Sequence, residues 1–110
     1  MEQTDKLDKI YRICELLNQR FGEETAFETM TRLAEEVGEL AAEVNHFEGK
    51  GVKAKKHGAP SKEKLVLEAQ DVIRAVLHLV QKYDAKEEFA ALLDSELENW
   101  ELKKTKWAQE

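Results

Sequence analysis

Three features of the sequence predict an all-α, four-helix fold: a single proline and only five glycines in 110 residues, apolar side chains recurring every three or four positions, and capping signatures ahead of two of these stretches. Hydrophobic residues make up 42% of the chain and charged ones 36%, which fits one soluble domain, 1–110, with a modest core.

The first helix is capped by Thr4 or Asp5, gathers Leu7, Ile10, Cys14, Leu17 and Phe21 on one face, and stops at Gly22. Thr25 with Glu28 forms a capping box for the second helix. Its stripe of Met30, Leu33, Val37, Leu40, Val44 and Phe47 is expected to be buried. Pro60 and Ser61 open a third helix running to Tyr83. Its apolar residues Leu65, Val66, Ala69, Val72, Ile73, Val76, Leu77, Leu79 and Val80 cover well over half its circumference, so it is expected to pack on two sides. Val66, Ile73, Leu77 and Val80 are the part of this arc expected to reach beyond one partner helix and support a dimer or larger assembly. Asp84 and Glu87 read as a second capping box, leading into a fourth helix with Phe89, Leu93, Leu97, Trp100 and Trp107, the tryptophans read as packing residues.

Residues 48–60, EGKGVKAKKHGAP, read as a long loop in which Lys50, Lys53, Lys55 and Lys56 outnumber Glu48. The chain as a whole carries a net charge of -6, which argues against a nucleic-acid partner bound through a basic surface. A cationic loop between acidic helices can hold a polyanion. The lone Cys14 excludes a disulfide framework and reads as a buried thiol. Without an apolar run of spanning or signal-peptide length, a cytoplasmic protein with no membrane partner is expected.

The second helix carries Glu36, Glu39 and Glu43 on one flank of its apolar stripe, and the third carries Glu68 and Asp71 in the same relation to its own. Antiparallel packing would bring Glu36, Glu39, Glu68 and Asp71 face to face, where mutual repulsion favours a neutralising cation. An all-oxygen set selects Mg²⁺, or Mn²⁺ as a substitute, ahead of zinc. Arg32 and Lys64 each stand one turn before an acid, in the weaker orientation for an intrahelical pair, which suits the edge of a phosphate site. At this point the competing reading is an ordinary solvated helix flank.

EEVGE at 35–39, followed after 28 residues by EAQD at 68–71, resembles the ExxE…ExxD signature of the MazG-like all-α nucleoside triphosphate pyrophosphohydrolases, and the similarity covers about residues 25–83. The resemblance implies a MazG-like bundle completed as a homodimer or homotetramer. It implies hydrolysis of a nucleoside triphosphate to the monophosphate and pyrophosphate, in nucleotide-pool house-cleaning, with metal on Glu36, Glu39, Glu68 and Asp71. Glu39 or Glu35 would take the proton from the attacking water, and Arg32, Lys64, Lys50 and Lys53 would meet the phosphates. Gln70 departs from the small residue many members carry and is expected to face away from the metal.

The alternatives are a non-enzymatic helical oligomerisation module and a phosphoribosyl-ATP pyrophosphatase-like activity. A di-iron bundle is disfavoured because only Glu43 and His46 supply its Glu-x-x-His spacing. His46 and Phe47 can stack on a base, with an exposed His46 and a core Phe47 as the competing expectation; His78 is expected at solvent or an interface.

Overall fold

The computed structural model describes residues 5–56 and 58–109, and its regular structure there is α-helical throughout. Five helices occur among the described residues: α1 (Lys6–Phe21), α2 (Ala26–Phe47), α3 (Gly51–Lys56), α4 (Lys62–Lys82) and α5 (Lys86–Trp107). None is long and apolar enough to cross a membrane. The chain divides into two compact units, Met1–Leu79 and Val80–Glu110.

Local chemistry accounts for most helix ends. Asp5 caps α1 by accepting the Leu7 N–H at 3.1 Å; Thr4, the other candidate, lies outside the described residues. Gly22, at φ 89°, closes α1 by donating to the Asn18 carbonyl at 2.9 Å. The Thr25–Glu28 capping box forms in both directions, at 2.9 and 3.1 Å. α2 ends with Gly49 N–H on His46 O and Lys50 N–H on Asn45 O, a pair of bonds that needs the left-handed backbone of Gly49.

Two expectations about elements are corrected. The stretch 48–60 is not without structure, because the short helix α3 lies within it and packs on α2. Asp84 does not cap α5. It sits at φ 54°, and its N–H donates to Gln81 O while Ala85 N–H reaches Val80 O, so it terminates α4. Ala85 is the N-cap residue of α5 and makes no side-chain capping bond, since Asp84 is already used in the turn before it.

Within the first unit the buried residues are Tyr11 and Cys14 of α1, Thr29, Glu43 and His46 of α2, and Ala75, Leu77 and His78 of α4. Cys14 is thus the buried free thiol expected, with Sγ 3.7 Å from the Arg74 carbonyl. The expected apolar stripe of α2 is corrected. Met30, Val37, Val44 and Phe47 stay between 38% and 51% exposed. One step round the helix, the stripe through Thr29, Glu36 and Glu43 points inward, and Leu33 and Leu40, half-buried, border both stripes. On α4, Val66 and Ile73 are exposed as expected of an open arc, but Leu77 is 2% exposed and belongs to the core.

In the second unit, α5 buries none of its residues. Trp100 and Trp107 pack on each other with ring centroids 6.4 Å apart, and the Lys103 ammonium lies 4.7 Å from the Trp100 ring centre.

Candidate metal centre

The inward polar stripe of α2 meets α4 at its acids. One carboxylate oxygen from each of Glu36, Glu39 and Glu68 lies within 4.8 Å of the other two. Glu36 and Glu68 are half-buried and Glu39 is exposed, so the cluster has a dry side and an open side. Burial first, then the charges of Asp71 and Glu39, pushes the Glu36 carboxyl above its ordinary range. Burial also raises Glu68, followed by a hydrogen bond with Glu39 and the charges of Glu39, Asp71 and Glu36.

Oε2 of Glu36 and Oε2 of Glu68 are buried with no protein partner. A buried carboxylate oxygen left unpaired is costly, and two of them beside a third carboxylate fit a hard divalent cation better than any protein donor present. Asp71 stands next to this trio and raises both neighbours, but it is tied elsewhere: its Oδ1 accepts from Gln70 Nε2 at 2.8 Å and Arg74 Nη2 at 3.2 Å. Gln70 therefore does not face away from the acids. It orients one of them.

The other expected site residues separate into those near the cluster and those directed away. Glu35 is exposed on a different flank of α2, in a groove shared with Phe27, Glu28 and Thr31, and does not join the cluster. The Arg32 guanidinium turns back toward the start of α2, where Nε and Nη2 grip Glu24 at 3.0 to 3.2 Å and Nη2 meets His78 Nδ1 at 3.1 Å. A guanidinium only donates, so His78 Nδ1 accepts. This grip holds Glu24 below the usual carboxylate range. His78 is buried, not at solvent.

Lys53, on α3, pairs with Glu43, which is 1% exposed. That bond lowers Glu43 and raises Lys53, and Lys53 is raised further by Glu68 and Glu39 of the cluster. Lys64, exposed on α4, adds to the lowering of Glu43, while Lys50 is exposed in the turn that closes α2. His46 is buried and its Nε2 donates to the Gly58 carbonyl at 2.6 Å, whereas Phe47 is 38% exposed, so the expected roles of these neighbours are reversed.

A cavity of about 260 Å³ opens between α1, α2 and α4, walled by Cys14, Leu17 and Phe21 on one side and by Glu24, Arg74 and His78 on the other. Sequence reasoning missed Glu24 and Arg74 and turned Gln70 the wrong way. Only Arg74, three residues after Asp71, carried a helical pairing signal. Comparison with family models, curated proteins and solved structures returns no match for this chain.

Proposed function

We propose that the chain is a Mg²⁺-dependent nucleoside triphosphate pyrophosphohydrolase, cleaving between the α and β phosphates. The observation that carries this reading is the convergence of Glu36, Glu39 and Glu68, two of them with a buried oxygen that has no protein partner. These three carboxylates, with Asp71 beside them, would hold the cation. A bound Mg²⁺ supplies charge neutralisation for the triphosphate and lowers the pKa of a bound water.

The protein's own residues would do the rest. Glu39, the exposed member of the cluster, would take a proton from the attacking water rather than Glu35, which does not join the cluster. Lys53 and Lys64 put positive charge at the Glu43 end of the acidic flank, where the outer phosphates would lie. The cavity shared by Arg74 and His78 begins one turn from Asp71 and would receive the nucleoside end. The apolar residues that α4 leaves open, Val66 and Ile73 among them, support completion as a homodimer or homotetramer.

A non-enzymatic oligomerisation module is the second reading, favoured by an α5 that exposes Leu92, Leu97, Trp100 and Leu102. Incubating a panel of nucleoside triphosphates with the protein and Mg²⁺, and resolving products by phosphorus NMR, separates the two. Equal amounts of monophosphate and pyrophosphate are expected. Release of orthophosphate would sink the proposed α,β cleavage, and no turnover of any nucleotide would sink the enzymatic reading.

A further inference from the structure

The Glu43–Lys53 pair poses a problem that the proposed cation site does not absorb. Among the described residues Glu43 is one of the most deeply buried side chains, a carboxylate at 1% exposure where an apolar residue would ordinarily stand. It stands one turn beyond Glu39 on α2, about 6 Å along the helix. Its Oε1 binds the Lys53 ammonium, and its Oε2 is buried without a partner. Next along α2, buried His46 fastens Gly58, so polar bonds from two buried residues hold α3 at Lys53 and the chain just beyond it at Gly58. Lys53 also feels the attraction of Glu68 and Glu39, two members of the cation cluster. Glu39 stands one turn before Glu43 on α2 and has a carboxylate oxygen within 4.8 Å of one of Glu68, so these two acids are the next along from the Glu43 bond.

We propose that Glu43 is a positioning residue that holds the Lys53 ammonium off the carboxylate cluster, keeping the site open to a divalent cation while leaving positive charge beside it for phosphate. This inference rests on the proposed cation site. An ammonium is a compact charge on a flexible stem, and its donors match carboxylate acceptors well. Without Glu43, Lys53 would swing to Glu39 and Glu68 and compete with the metal for the same oxygens.

The test uses Mn²⁺ binding followed by electron paramagnetic resonance, together with acylation of lysines read by peptide mass spectrometry with and without Mn²⁺. In the parent, Mn²⁺ should bind and leave Lys53 labelling unchanged. In Glu43→Gln, Mn²⁺ affinity should fall at least about fivefold, the lower end of common coupling between neighbouring sites. Added Mn²⁺ should then raise Lys53 labelling, because the metal expels the amine from the cluster. Removing the competitor in the double variant Glu43→Gln, Lys53→Met should bring affinity back to within about twofold to threefold of the parent.

A loss of affinity in Glu43→Gln with no change in Lys53 labelling would overturn the proposal, since that is what loss of a nearby negative charge alone would give. Unchanged affinity in that variant would overturn it as well, leaving the cation site intact. A parent that binds no Mn²⁺ would overturn both this inference and the site it rests on. If Glu43→Gln does not fold, the parent measurement decides: Mn²⁺-dependent exposure of Lys53 there would mean that the ammonium occupies the cluster, contrary to the proposal.

Discussion

A carboxylate oxygen of Glu36 on α2 lies within 4.8 Å of one of Glu68 on α4, and each of these side chains keeps its Oε2 buried without a protein partner. Burial first, then the neighbouring carboxylates (Asp71 and Glu39 for Glu36; Glu39, Asp71 and Glu36 for Glu68), pushes both carboxyls above their ordinary range. Without a cation the arrangement works against the fold, and the proposed Mg²⁺ would relieve it. Activity and stability are therefore expected to respond to the same substitutions in opposite directions.

Glu68→Gln removes one charge and one metal-binding oxygen while preserving shape. Turnover of the triphosphate should fall at least about a hundredfold if the cation contributes about 3 kcal/mol to the transition state. In EDTA the variant should melt no lower than the parent, and the gain in Tm on adding Mg²⁺ should shrink. Asp71→Asn should show the same loss of turnover with less relief in EDTA, because Asp71 is already balanced by Arg74 and Gln70. Calorimetry with and without Mg²⁺ checks both variants, and an active Glu68→Gln would rule the cluster out as the catalytic centre.

The pH dependence has a definite sign. Glu36 and Glu68 bind protons more tightly folded than unfolded, so metal-free stability should decline as pH rises from the ordinary carboxylate value of 4.5 through their raised values. Glu24 and Glu43 are lowered, so their contribution is present above 4.5 and lost as pH falls through their depressed values. Metal-free stability should peak near the ordinary carboxylate range. Saturating Mg²⁺ should abolish the decline on the alkaline side. Melting curves from about pH 3 to about pH 8 in EDTA and in Mg²⁺ test this, and parallel profiles in the two conditions would contradict it.

The helices were legible where a side chain has one local task. Asp5, Thr25 with Glu28, and Gly22 serve the backbone within a few residues, and residue type alone reveals this. The acids of the cluster were legible for a similar reason: spacing by three on two helices puts each pair on one face. The rotation of α2 was not. Its apolar stripe and its Thr29–Glu36–Glu43 stripe are one residue apart, and choosing the polar one depends on partners distant in sequence: the Arg74 charge for Glu36, and Lys53 for Glu43. The same holds for Arg32, whose nearest acid one turn on is Glu36 but whose guanidinium fits both oxygens of Glu24. Helical spacing cannot see a contact made across a turn.

Glu24 should matter more to stability than its position at a helix entry suggests. It accepts from Arg32 and from the Thr29 hydroxyl, and Thr29 is fully buried. Glu24→Ala would leave the half-buried Arg32, whose Nη1 already has no partner, without its carboxylate, at a cost of about 1 to 3 kcal/mol. Glu15→Ala, which breaks the exposed Arg12–Glu15 pair, should cost less than about 0.5 kcal/mol. Urea denaturation of the two variants makes the comparison. Equal losses would show that the Glu24 grip on Arg32 is no stronger than a surface pair.

The start of α5 offers a test in which two readings of one residue give opposite signs. If Asp84 capped the helix, replacing it with glycine would forfeit a side-chain acceptor; by contrast Thr25→Ala, which removes a formed capping box, should cost about 1 kcal/mol. At φ 54°, however, Asp84 occupies the left-handed region at the end of α4, where a Cβ is unfavourable by about 1 kcal/mol and glycine is not penalised. The greater freedom of glycine in the unfolded chain offsets part of that relief, typically by about 0.4 to 1 kcal/mol. Asp84→Gly should therefore leave Tm unchanged or slightly raised, while Thr25→Ala lowers it by several degrees. Thermal melts followed by circular dichroism distinguish the cases, and a drop for Asp84→Gly as large as that for Thr25→Ala would restore Asp84 to the role of a helix cap.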